Sequence, residues 1–185
     1  PDKATQEVWS KLKAAAPIDL QDNELYILES LDENAFAALG GKVFLTTRFL
    51  KNSTSLNERI FIMGHELGHQ HYRHPVKSVY TSLFSAGVAT LISGTDSFSG
   101  LMFKATSMAF SRQQETEADM FALDLVQKIS GNAKGAFDFF KRINKKYGML
   151  ENLNGGFFAT HPLSKERIEY LEKECSHKFG QESCS

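Results

Sequence analysis

What is scarce in this chain narrows what it can be. No run approaches the roughly 18 consecutive apolar residues of a membrane-spanning helix. The most apolar stretch, "LFSAGVATLISG" at 83–94, is short and broken by Ser, Thr and Gly. A spanning helix is not expected, although such a stretch can lie on a membrane surface. Basic residues are not in excess: 21 Lys and Arg face 22 Asp and Glu, giving a net charge of -1 and an isoelectric point near 6.7. The cationic surface that nucleic acid requires is missing, so no nucleic-acid partner is expected. Cysteine is rare, with only Cys175 and Cys184, close in sequence and separated by Gly180. Such a pair suits a disulfide and an oxidising compartment. An initiating Met is also lacking at Pro1. A signal peptide, lipid anchor or transmembrane segment can have been removed ahead of it, and a removed signal or lipid anchor together with the two cysteines gives the expectation of a periplasmic or cell-envelope location.

What is present is a chain of 185 residues, 42% hydrophobic and 11% aromatic, enough to bury the core of one domain over 1–185. Residues 2–16 carry Val8, Leu12 and Ala15 on one helical stripe, ended by Pro17. "LYILES" (25–30), "AFAAL" (35–39) and "KVFLTT" (42–47) read as short strands, the last two joined by Gly40-Gly41 as a tight hairpin. The pattern then turns helical. Ser55 with Glu58 predicts a capping box, followed by Leu56, Ile60, Met63 and Leu67 at helical spacing until Pro75.

That helix carries "HELGH". Residues four apart on a helix project from one face, so His65 and His69 can offer imidazole nitrogens to a single zinc ion. Glu66 is adjacent and can act as the base for the attacking water. A metzincin would need Gly at 72 and His at 75, where this chain has Tyr72 and Pro75, so that subclass is excluded. A carboxylate from a later helix is the alternative third ligand. In "SRQQETEADMFALDLVQKI" (111–129), Glu115, Asp119 and Ala122 share the edge of the apolar stripe. Glu115 is assigned to zinc. Asp119, one turn on, is placed to accept a hydrogen bond from the non-ligating nitrogen of His65. Glu117 reads as a solvated acidic face, and His71 and His74 as surface or packing residues. Phe137, Phe139 and Phe140 have the spacing of a helix buried in the core. Residues 78–110 read as a hairpin that covers the cleft or contacts a membrane surface.

Four blocks then carry a resemblance: "NAFAALGGKVFLTTRFL" (34–50), "HELGHQHYRH" (65–74), "SRQQETEAD" (111–119) and "THPLSKERI" (160–168). In this order the chain resembles the gluzincin-type zinc metallopeptidases that include the CAAX prenyl endopeptidases, the HtpX heat-shock proteases and the periplasmic BepA-like proteases. The resemblance implies an α+β, mainly helical metallopeptidase domain. It implies one zinc ion per chain on His65, His69 and Glu115, Glu66 as catalytic base, and endopeptidase activity on polypeptide substrates, misfolded envelope proteins among them. It also implies that His161 and the substrate-binding Asn34 lie near the reacting carbonyl. The membrane helices of many integral members are missing, which favours the soluble envelope branch.

His161 follows Gly155-Gly156 and precedes Pro162, so it is expected on a loop. From there it can stabilise the oxyanion or occupy the fourth zinc position at rest. The sheet edge over 35–47 is the expected place for an extended substrate to add as a strand. Two rivals remain: a metal-binding, chaperone-like protein with little turnover, and a metal-free helical interaction domain.

Overall fold

The computed structural model describes residues 1–81, 109–147 and 157–184. It is α+β and mainly helical. Helix α1 (Lys3–Ala15) starts where the Asp2 side chain accepts from the Thr5 amide, and buries Val8 and Leu12. After Pro17 and a 3-10 turn (Ile18–Leu20), three strands follow: β1 (Glu24–Leu28), β2 (Ala35–Ala38) and β3 (Lys42–Thr46).

The strands form one sheet in the order β1-β3-β2, with β3 central, parallel to β1 and antiparallel to β2. The sequence pattern indicated the hairpin but not the parallel pairing. The hairpin loop is also longer than expected. Ala38 pairs with Lys42, so Leu39 joins Gly40 and Gly41 in a three-residue loop. Both glycines adopt positive φ, 80° and 74°, the region L side chains avoid.

Thr46 caps the short α2 (Thr47–Asn52), and Ser55 caps α3 (Leu56–His71) by accepting from the Glu58 amide. The expected capping box is only half made. The Glu58 carboxylate turns to the Thr54 amide at 2.8 Å and hydroxyl at 2.9 Å, and to Arg142 at 2.6 Å. Glu58 is wholly buried, so its charge needs Arg142 more than the helix start needs a second cap. After α3 the chain breaks at Tyr72-Arg73, and residues 74–81 form helix α4. Most of the 78–110 hairpin expected from sequence lies outside the described residues.

Helix α5 (Arg112–Ser130) carries a full Ser111–Gln114 capping box and ends on left-handed Gly131. Then come α6 (Asp138–Tyr147), the single turn α7 (Phe157–Thr160), α8 (Lys165–Phe179) and a 3-10 turn (Gln181–Ser183). A Cys175–Cys184 disulfide ties that turn to α8.

Two features of the core place the site. Helix α3 packs most extensively on α5, and the contact is close because α3 presents glycines there. A Cβ on Gly64 would lie 3.3 Å from Ala122 Cα, and one on Gly68 only 2.9 Å from Ala118 Cα. The second feature is a cluster of buried rings. Phe61 meets Phe137 edge to face at 5.1 Å, and Phe139 meets Phe157 at 5.0 Å. Phe137, Phe139 and Phe140 are core residues, as their spacing predicts. Phe157 extends this cluster to the site by stacking on the His161 ring at 4.2 Å.

Candidate metal centre

The centre of α3 is buried over its whole circumference between the sheet and α5, so His65, Glu66 and His69 lie inside the protein. The helical repeat puts His65 and His69 on one face, with their Nε2 atoms 3.0 Å apart. The glycine-to-alanine contact brings α5 close enough for Glu115 to reach the same point. Its Oε1 lies 3.4 Å from His69 Nε2, and its Oε2 lies 3.6 Å from His65 Nε2.

His161 completes the group, its Nδ1 lying 3.2 Å from His65 Nε2 and 3.1 Å from Glu115 Oε1. It does not sit on a plain loop. Its amide donates to the Phe157 carbonyl at 2.9 Å, which closes the α7 turn. Hydrogen bonding and ring stacking together aim the imidazole inward.

The residues fit a metal ion. All four are buried, and their ligand atoms lie within 4.8 Å of one another. Bonds of about 2.0–2.2 Å in a tetrahedron place ligand atoms roughly 3.3–3.6 Å apart, close to the separations found here. Imidazole nitrogens and carboxylate oxygens meeting in a dry interior repel one another unless a cation lies between them.

Charge around the group is graded. Burial raises the Glu115 pKa, but His161 and Arg167 outweigh it and hold the carboxyl well below its usual range. Burial likewise raises Asp119, and Arg167 with His65 brings it below the ordinary value. Glu66 behaves differently. Burial pushes its pKa up, and the opposing pull of His161, His65 and the Ala37 amide is too weak to reverse this. Among the described residues no donor reaches either Glu66 oxygen with hydrogen-bond geometry, and Oε1 lies 3.5 Å from His161 Nε2. Such a carboxylate has a raised affinity for a proton. Burial lowers His69 well below its usual pKa, whereas Glu66 and Glu115 overcome burial to raise His161.

Asp119 Oδ1 lies 2.9 Å from His65 Nδ1, although the ring N–H is not aimed straight along that line. Asn34 sits just before β2, its amide donating to Thr46 Oγ1 at 3.0 Å. Its Oδ1 is buried and accepts no hydrogen bond among the described residues. Among the described residues no hydrogen bond joins that side chain to the histidine cluster.

Three residues have larger parts than their sequence suggested. Arg167, which no local motif marks, grips Asp119 with Nε and Nη2, both at 2.8 Å, and pairs with Glu115 through Nη1. The available signal was electrostatic: a helix edge that buries Glu115 and Asp119 needs a cation, and "THPLSKERI" supplies one. His74 is fully buried, its Nδ1 2.9 Å from His69 Nδ1. Glu117 is no idle surface acid, because its Oε2 lies 3.0 Å from His74 Nε2. His71 instead faces Asp19 at 3.0 Å, away from the cluster.

The family model described as Peptidase family M48 matches residues 1–175. The chain is 30% identical over 156 residues to the mitochondrial metalloendopeptidase OMA1 of Schizosaccharomyces pombe, covering 81% of this chain and 46% of that protein. It is 26% identical over 154 residues to the metalloprotease LoiP of Escherichia coli (78% and 60%). It is 25% identical over 158 residues to a putative beta-barrel assembly-enhancing protease of Vibrio cholerae (77% and 32%). The chain spans about half the length of the OMA1 proteins of the two yeasts it matches.

Proposed function

The chain belongs to peptidase family M48, and from that premise we propose that it is a zinc-dependent endopeptidase hydrolysing polypeptide chains. The observation that carries the reading is the buried convergence of His65, His69, Glu115 and His161 beside an unbonded Glu66. His65, His69 and Glu115 would hold one zinc ion, with His161 at the remaining position. When bound, zinc supplies Lewis acidity that activates water and polarises the scissile carbonyl.

The remaining chemistry belongs to the chain's own side chains. Glu66, its proton affinity raised by burial, takes a proton from the attacking water and delivers it to the leaving amine. His161, whose Nδ1 faces His65 and Glu115, would contact the ion in the resting protein. In the alternative role, its Nε2, 3.5 Å from Glu66 Oε1, would donate to the developing oxyanion. Asp119 and Arg167 hold His65 and Glu115 in place.

The substrate lies along β2. Thr46 N–H bonds the Asn34 carbonyl, so by antiparallel alternation residues 34, 36 and 38 face β3, while Ala35 and Ala37 turn their backbone groups to the open edge. That edge borders Glu66, whose carboxylate feels the Ala37 amide. A chain added there is held mainly through its backbone, which suits a protease of low sequence selectivity acting on misfolded chains. Asn34 lies at the start of this edge and would contact the added strand. The disulfide and the beta-barrel assembly named for the Vibrio relative favour an envelope location. Residues 1–185 are assigned to one metallopeptidase domain.

The test is Glu66→Gln. Peptide hydrolysis is expected to fall about a hundredfold or more while zinc content and fold persist. Residual activity within about tenfold of wild type would remove Glu66 as the base. A wild type that binds zinc without cleaving any unfolded protein would favour a chaperone-like role instead. His161→Ala separates the two duties of that residue. A fall of about 100-fold in turnover identifies oxyanion stabilisation, and a rise in basal proteolysis identifies a resting-state ligand.

A further inference from the structure

His74 lies between a metal ligand and a surface carboxylate. Its Nδ1 is 2.9 Å from His69 Nδ1, and its Nε2 is 3.0 Å from Glu117 Oε2. The histidine side chain is fully buried, while that of Glu117 is 33% exposed. A helix continued from α3 would carry residue 74 about 140° round from His69. The chain prevents this by breaking after His71 and placing Arg73 at φ 56°, a conformation non-glycine residues seldom adopt. That turn folds His74 back against His69.

We propose that His74, anchored by Glu117, is a positioning residue that holds His69 in the tautomer presenting Nε2 to the metal. This deepens the metallopeptidase reading and rests on it. Two ring nitrogens 2.9 Å apart share one proton, so one ring donates and the other accepts. His69 Nε2 converges on the other ligands, 3.0 Å from His65 Nε2, and must present a lone pair there. The His69 proton is therefore on Nδ1 and is donated to His74 Nδ1. The single proton of the His74 ring then lies on Nε2, facing a carboxylate that when ionised can only accept. Each link has one donor and one acceptor. Reversing the first link would put a proton where the metal binds.

The two histidines of α3 are thus supported by different devices. His65 has the Asp119 carboxylate directly against its Nδ1, at 2.9 Å. His69 reaches its carboxylate through an intervening imidazole. The cause is geometric: Glu115 and Asp119 occupy the inner edge of α5, whereas Glu117 projects to the outside and needs a ring to span the distance.

The experiment measures zinc affinity of the full chain by competition with a chromophoric chelator, for wild type, His74→Phe, Glu117→Leu and the double variant. His74→Phe is expected to weaken binding about 10- to 100-fold and Glu117→Leu about three- to tenfold. The double variant is expected to be no weaker than His74→Phe, because Glu117 acts only through that ring. Long-range nitrogen NMR of the zinc-loaded protein is expected to show His74 protonated at Nε2. Should His74→Phe fail to fold, the surface substitution at Glu117 and the tautomer assignment decide the matter. Additive losses, a Glu117→Leu variant within twofold of wild type, or His74 protonated at Nδ1 would each overturn the proposal. A wild type that binds no zinc would overturn the metallopeptidase reading as well, whereas zinc binding that neither variant alters would overturn only the role of His74.

Discussion

Asp119 shows how a single side chain can be dictated by its partners. Burial alone would raise its pKa, yet the bidentate Arg167 guanidinium and His65 bring it below the ordinary range. A carboxyl whose folded pKa is depressed contributes stability above its unfolded pKa of about 3.9, and that contribution disappears as pH falls through the lower folded value. Asp119→Asn is therefore expected to destabilise most near neutral pH and progressively less below about pH 4, where first the unfolded chain and then, at lower pH, the folded carboxyl takes up a proton. Urea unfolding of both proteins from pH 7 to 3 checks this. A stability difference that does not vary with pH would mean that the carboxylate charge contributes nothing. The same residue is the one whose loss should weaken zinc binding about 10- to 100-fold without abolishing it.

Between elements, the distance from α3 to α5 sets the site. His65 and His69 ride on one helix and Glu115 on the other, so the separations of these proposed ligands follow from how closely the backbones approach. Of the two α3 glycines at this contact, Gly68 has the less room, since an added Cβ would meet Ala118 Cα at 2.9 Å, backbone that cannot swing aside. In an exposed helix, Gly→Ala gains about 1 kcal/mol. Here overpacking is expected to reverse the sign, so that Gly68→Ala costs about 1–3 kcal/mol and weakens zinc binding by moving Glu115 outward. Gly64→Ala, at 3.3 Å, is expected to do the same more mildly. Thermal unfolding and zinc titration of the two variants check the order. A stabilised Gly68→Ala would show that the helices have slack to give.

Across the whole molecule, the C-terminal segment closes the structure around the site. Helix α8 begins with Ser164 capping the Arg167 amide, which helps to aim the guanidinium, and ends in the Cys175–Cys184 bridge. The bridged turn returns to the α5–α6 connection, where the Ala133 amide donates to the Ser183 carbonyl at 2.9 Å. Replacing both cysteines by serine is expected to cost about 2–3 kcal/mol, the loop-closure contribution of so short a ring. Zinc affinity is expected to stay unchanged, because Arg167 lies two turns earlier and is held by Asp119. Denaturant unfolding of the variant and of reduced wild type should agree. Loss of zinc along with stability would show that the bridge holds Arg167 in position.

Local pattern by itself determined the α3 helix and its Ser55 cap, the glycine hairpin, the shared face of His65 and His69, the inward edge of Glu115 and Asp119, and the buried phenylalanines. Each depends on spacing within one or two turns or strands, where backbone geometry leaves few alternatives. Tertiary structure alone decided what met what. The parallel β1–β3 pairing, the turn of Glu58 from its cap to Arg142, and the grip of Arg167 on Asp119 join segments that no periodicity links. His74 shows the limit most plainly. On an unbroken helix it would face away from His69, and only the left-handed Arg73 brings it back. The physical reason is that buried charges and lone pairs must find partners wherever the packed elements bring them, and that requirement is satisfied in space rather than along the chain.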